Sequence, residues 1–262
     1  PMIDFREVEH GLNLIAEAWR PDPGKHLRAA MDGIHADMAS ILQETFNKGQ
    51  PDLRASWMTC ISEHLPEEDS IGRLSMWRAY GGTSGVALVL KAEMFKLKTD
   101  YLGAYSSPVL YAGQARLDEH VHEVADNLVK HRDFLGSIPA AHVNIAMLGA
   151  LQFAAVSTKH VGFREEREWR VIYKPATSPT NGLVESVECV RGVPQVVYKI
   201  PLKDFPEQGI AGLTIPDLLD RIIIGPSAHP EVMVQAFVRL LEEAGVKDAM
   251  SKVVRWDIPL RT

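Results

Sequence analysis

Apolar positions recur along the chain with two periods, and the switches between them mark its elements. From Glu7 to Trp19, the residues Val8, Leu12, Ile15 and Trp19 fall at helical spacing, and Pro21-Asp22-Pro23-Gly24 stops the run. A second stripe through Leu27, Met31, Ile34, Met38, Ile41 and Leu42 predicts one helix from about Leu27 to Phe46. Leu117 to Leu135 is amphipathic in the same way. Ala140 to Val156 is apolar on every side, which predicts a helix buried between layers, and Pro230 to Gly245 ends on a capping glycine.

The shorter period gives strands at Ala55–Ser62, Val86–Leu90, Tyr105–Tyr111, Arg221–Pro226 and Val253–Ile258, with Leu183–Val190 and Val196–Ile200 reading as a hairpin. Strands and helices mingle without strict alternation. The expected fold is therefore α+β, one domain over residues 1–262 with a central mixed or antiparallel sheet flanked by helices. The most apolar run, Ile145 to Val156, is interrupted by Gly149 and Gln152 and falls short of the roughly 18 residues a membrane span needs.

One strand candidate carries charge where apolar residues are expected. In Phe163 to Tyr173, alternation puts Glu166, Glu168 and Arg170 on one face and Arg167, Trp169 and Val171 on the other. Two carboxylates at i and i+2 lie about 7 Å apart, so each raises the other's pKa unless a cation compensates. Such a face belongs either to a solvated edge strand or to a site, and the Trp169 to Tyr173 run that anchors it in a core favours a site. Lys159 lies just upstream. Trp77 and Tyr80, three apart, can pack beside Gly81-Gly82-Thr83-Ser84-Gly85, a loop that precedes a strand and lacks the lysine of a phosphate-binding loop.

Composition narrows the setting. The chain has 262 residues, 46% hydrophobic and 24% charged, and a net charge of −6, which supplies no general attraction to nucleic acid or anionic lipid. Cys60 and Cys189 are too far apart in sequence for a zinc motif or a disulfide framework, so a reducing, cytoplasmic location is expected. His120 and His122 point in different directions on a helix, and no metal is predicted. Glu7 and His10 read as a solvent-facing pair, and His35 and Asp37 as surface residues. The abrupt opening at Pro1 leads us to expect a native segment upstream.

In order, the chain shows Met76-Trp77-x-x-Tyr80, Gly85 with its apolar strand, Lys159-x-x-x-Phe163-x-x-Glu166-x-Glu168-x-Arg170, Ile222-Ile223-Ile224-Gly225-Pro226 and Ile258-Pro259. This order resembles the prokaryotic domain-of-unknown-function family 2971, with Glu7-Val8-Glu9-His10-Gly11 matching the segment after that family's Asn-Asp turn. Arg78 departs from the small residue or serine that many members carry. The layout also resembles ADP-ribosyltransferase-like folds, whose Arg-Ser-Glu subgroup has an early arginine, a strand serine and a Glu-x-Glu pair. By that resemblance Glu168 would hold the ribose 2′-hydroxyl of NAD and stabilise the oxocarbenium-like state. Glu166 would orient or deprotonate the acceptor, with Ser62 as the strand serine and Trp77, Tyr80, Lys159 and Arg170 around the substrate. The early arginine is not identifiable among the chain's motifs and is expected in the upstream segment.

The first functional expectation is thus a bacterial, NAD-using ADP-ribosyltransferase-like enzyme in phage defence or stress response, acting on a small molecule, a protein or a nucleic acid, with no membrane partner. A second is a non-enzymatic sensor or partner-binding module whose Glu, Lys and Arg side chains form a structural ion network. A metal-dependent nuclease ranks third, because Glu-x-Glu with Lys159 echoes such sites but lacks a preceding aspartate. An open cleft at Glu166 and Glu168 favours catalysis, and a sealed one favours the network.

Overall fold

The computed structural model describes residues 5–20, 24–49, 53, 55–96, 99–190 and 192–256. Three helices open the chain, α1 (Phe5–Ala18), α2 (Gly24–Ile34) and α3 (Met38–Lys48), followed by strands β1 (Trp57–Ser62) and β2 (Ser84–Leu90). Then come β3 (Ala104–Pro108), β4 (Leu110–Tyr111), α4 (Gln114–Lys130), α5 (Ala140–Ser157), β5 (Thr158–Lys159) and β6 (Glu168–Tyr173). Strands β7 (Val184–Val190), β8 (Val193–Lys199) and β9 (Leu219–Ser227), helix α6 (Pro230–Glu243) and strand β10 (Val253–Arg255) complete it. The class is α+β, with pairing divided among small mixed and antiparallel sheets flanked by helices. Contacts gather the chain into two compact units, one of residues 1–61 and 104–179, the other of 62–103 and 180–262.

In the first unit, β6 is the middle strand of β1-β6-β3, and β3 runs antiparallel to it with Ser107 opposite Arg170. Strands β4 and β5 form a separate parallel pair. Helix α1 presents Val8, Leu12, Ile15 and Ala18 to a core shared with Ala155 and Val156 of α5 and Ile172 of β6. Gly11 is where α1 and α5 touch, since a Cβ there would lie 2.1 Å from the Ala155 carbonyl oxygen. A second core joins α2, α3 and α4 through Met31, Met38, Leu42, Ala125 and Leu128.

The expected single helix from Leu27 to Phe46 is two helices. The chain turns at His35 to Asp37, where Asp37 takes a left-handed conformation (φ 59°), and the His35 ring bonds the Ile138 carbonyl at 3.0 Å. His35 is thereby tied to the second half of its unit. Helix α5 forms where expected and runs unbroken for 18 residues, but it is not buried on every side: Ile145 is exposed, and by length and composition the helix is apolar enough to cross a membrane. Val143, Ala155 and Val156 are buried in the cores just described, with Leu148 and Leu151 packed against them, so part of its apolar surface serves core packing.

In the second unit, β9 is central to β10-β9-β2, parallel to β10 and antiparallel to β2. Ile222, Ile224, Val238 and Leu241 build its core beneath α6. The expected β7/β8 hairpin is present, pairing Val187 with Val196. Expectations for Pro21 to Pro23 and for Ile258 and Pro259 fall outside the described residues.

Candidate functional site

The candidate site grows from β6, whose charged face is its buried one. Glu168, Arg170 and Ile172 alternate on the inward side, while Trp169 and Val171 are only half-buried. The strand is shorter than expected. Residues Val161–Glu166 form a 3₁₀ turn, and Arg167 adopts a left-handed conformation (φ 44°, ψ 51°) before the strand starts at Glu168. Glu166 therefore reaches the cluster from a turn, not from the strand face that simple alternation assigns it. The Glu168 backbone is held on both sides: its N–H donates to the Tyr111 hydroxyl at 2.8 Å, and its carbonyl accepts from Val109 N–H at 2.9 Å.

Lys159, on β5, sits at the centre. Its Nζ donates to Glu166 Oε2 at 2.6 Å and Glu168 Oε2 at 2.9 Å and lies 2.9 Å from Glu7 Oε1, so three carboxylates match the three donors of an ammonium. It also lies 4.9 Å from the Phe163 ring centroid. Arg170 completes the arrangement. Its Nε donates to Glu168 Oε1 at 2.6 Å, its Nη1 to the Val156 carbonyl in the last turn of α5 at 2.5 Å, and its Nη2 to Glu7. A cation on the carbonyl end of a helix is a favourable cap, which gives this arginine a second reason to be inside. Three carboxylates against two cations leave one excess negative charge.

Burial and charge act in opposite directions here. Desolvation opposes the charged form of Glu168, but hydrogen bonds from Arg170, Cys60 and Lys159 overcome it and hold the carboxyl at about 2. Burial likewise opposes the charge on Lys159, and its bonds to Glu166, Glu168 and Glu7 raise it well above the ordinary lysine range. Cys60 is exposed as a residue, but desolvation of its sulfur on the Glu168 side, then the Glu168 carboxylate, push the thiol up to about 12 and keep it a proton donor to Glu168. Burial first, with the Glu168 and Glu166 charges behind it, also raises Tyr111.

The structure joins four of the expected residues, Lys159, Glu166, Glu168 and Arg170, and places the other three elsewhere in the chain's contacts. Trp77, Tyr80 and Ser62 belong to the second unit. Trp77 is core: its indole N–H donates to the Ile71 carbonyl at 2.8 Å, and its ring packs with Ile223 and Trp256. It lies so close to Gly225 that a Cβ there would meet the ring at 2.6 Å. Tyr80 is exposed at the end of a π-helical turn, Trp77–Gly81. Ser62 Oγ accepts from Arg73 at 3.0 Å, in a network where Arg73 also grips both oxygens of Glu68.

Three members of the cluster were missed by sequence reasoning: Glu7, Cys60 and Tyr111. Glu7 is no solvent-facing partner of His10; its carboxylate bridges Lys159 and Arg170, because α1 turns that face toward β5 and β6. The His10 ring packs against His160 instead, with centroids 5.8 Å apart. A signal for Glu7 was present, since it stands one turn before Gly11, the glycine that lets α1 approach α5. Cys60 and Tyr111 carried no such mark. Among the described residues, no group of three or more His, Cys, Asp or Glu side chains could hold a metal ion.

Residues 76–171 match the model of the family DUF2971, described as a protein of unknown function. The match spans less than half of the chain; it takes in Lys159, Glu166, Glu168 and Arg170 and leaves out Glu7 and Cys60. No curated protein and no solved structure matches the chain.

Proposed function

We propose that this chain is a non-enzymatic sensor or partner-binding module, and that its Glu, Lys and Arg cluster is an ion network specifying the fold of the first unit. One observation carries the reading: Glu168, 5% exposed, has both carboxylate oxygens engaged, one by Arg170 and the other by Lys159. A glutamate that must stabilise a developing oxocarbenium or accept a ribose hydroxyl needs a free oxygen facing the substrate. Here that would require breaking a charge-assisted bond in a buried place. A cytoplasmic location belongs to the same reading, supported by the free thiols of Cys60 and Cys189.

The test compares wild type with Glu168→Gln in two measurements, thermal unfolding and NAD consumption. The network reading expects no NAD turnover by the wild type and a melting temperature for the variant lower by roughly 10 °C or more, the shift that a loss of about 3 kcal/mol produces. A wild type that consumes NAD, with a variant that melts normally but is inactive, would replace this reading with the ADP-ribosyltransferase-like one.

A further inference from the structure

A cleft in the first unit has the size and lining of a small-molecule site. It is a groove of about 370 Å³, open to solvent on one side, between α1, α3 and α5. Leu12, Ile15, Phe46 and Leu151 form its apolar part. Its polar part is Arg20, just past the end of α1, together with Gln43 and Asn47, one turn apart on α3. The volume falls within the roughly 300 to 1,000 Å³ of ligand pockets.

The geometry points to a binding site for a small monocarboxylate with an apolar body of about ten carbons, the body over Leu12, Ile15, Phe46 and Leu151 and the carboxylate at Arg20. An anion at the C-terminal end of a helix is ordinarily disfavoured. Here the Arg28 guanidinium donates to the carbonyls of Trp19 and Arg20, in the turn just past α1, and so places a positive charge beside the negative end. Among the described residues Arg20 pairs with Glu17, one turn earlier, and the two side chains are 66% and 42% exposed. An exposed pair of this kind is worth little, so an incoming carboxylate can take the place of Glu17. Gln43 adds an amide donor beside it. This inference does not rest on the ion network, none of whose members lines the cleft.

The experiment is calorimetric titration of the full chain with decanoate and with 2-naphthoate, below any micelle concentration, with 1-decanol as the uncharged control. Saturable one-to-one binding of either acid, at least about tenfold tighter than the alcohol, is expected. Decanoate alone binding assigns an acyl chain, and naphthoate alone an aromatic acid. Arg20→Gln should weaken binding about tenfold and Glu17→Gln should tighten it. Ala16→Phe, at an exposed lining position, should fill the cleft and abolish binding without changing the melting temperature; Ala16→Leu replaces it if the bulkier variant does not fold. Absence of binding by both acids, equal binding of the alcohol, or indifference to the Ala16 and Arg20 changes would overturn the proposal.

Discussion

Arg170 and Arg73 each hold a glutamate, and the two arrangements differ in how far along the chain they reach. Arg170 is 1% exposed, and its partners are Glu168, Val156 and Glu7, the last 163 positions away. Arg73 has a side chain 13% exposed, and it bonds Ser62, Glu63 and Glu68, each within 11 positions. The first network cannot exist until α1, α5 and β6 are assembled, so its formation and the folding of the unit are one event. The second organises a single loop before β2. A buried ion set with long-range partners adds little net stability compared with apolar packing, but losing one member leaves uncompensated charge, and the penalty is large. A local set loses less, because the loop can relax toward water.

The strongest way to break this contrast is Lys159→Met. Glu7 and Glu168 would then keep Arg170 while Glu166 loses the ammonium, and we expect a loss of about 3 to 5 kcal/mol in urea unfolding. Adding Glu166→Gln to that variant should restore part of the loss, because it brings the cluster back to one excess negative charge. If the double variant is less stable than Lys159→Met, charge balance is not what Lys159 provides.

The acid limb of stability sharpens the same point. Glu168 moves from an ordinary value of 4.5 to about 2 on folding. A carboxyl with a depressed folded pKa contributes stability that is fully present above its unfolded value and is lost as pH falls through the folded one. The window is therefore from about pH 4.5 down to about 2, and the contribution is up to about 3 kcal/mol. Glu168→Gln should remove this component, giving a flatter dependence of melting temperature on pH than the wild type. Parallel acid limbs in the two proteins would mean that Glu168 is not held as described.

In the second network, Glu68→Gln should cost about 1 to 3 kcal/mol. Arg73 keeps the Ser62 hydroxyl and the Glu63 carbonyl, and the amide oxygen of glutamine can still accept one of its bonds. A loss as large as that of Lys159→Met would erase the distinction between the two networks.

The same contrast explains what could be read from the residues alone. Glu168 and Arg170 were legible because strand alternation places i and i+2 together, and Lys159 because it lies just upstream. Glu166 was legible for a partly mistaken reason: the left-handed Arg167 ends the alternation before it, although the turn still delivers its carboxylate to Lys159. Glu7, Cys60 and Tyr111 come from other elements, and local periodicity carries no information on which distant elements meet. The split between α2 and α3 was hidden because its apolar stripe keeps phase across Asp37, whose backbone turn leaves no hydrophobic mark. Trp77 and Tyr80 were paired by spacing, yet the π-helical turn sends one ring into the core and leaves the other exposed.

The smallest expected effect belongs to Ser62, the residue that resemblance made the strand serine of a substrate site. Its hydroxyl accepts one of the bonds from Arg73, which is otherwise satisfied by both oxygens of Glu68 and by the Glu63 carbonyl. Ser62→Ala should therefore cost only about 0.5 to 1.5 kcal/mol, the net worth of an ordinary hydrogen bond. The double change Ser62→Ala with Glu68→Gln should show coupling, since both residues act through the same guanidinium. Strict additivity in denaturant unfolding would mean that the serine does not work through Arg73, and its place in the loop network would have to be given up.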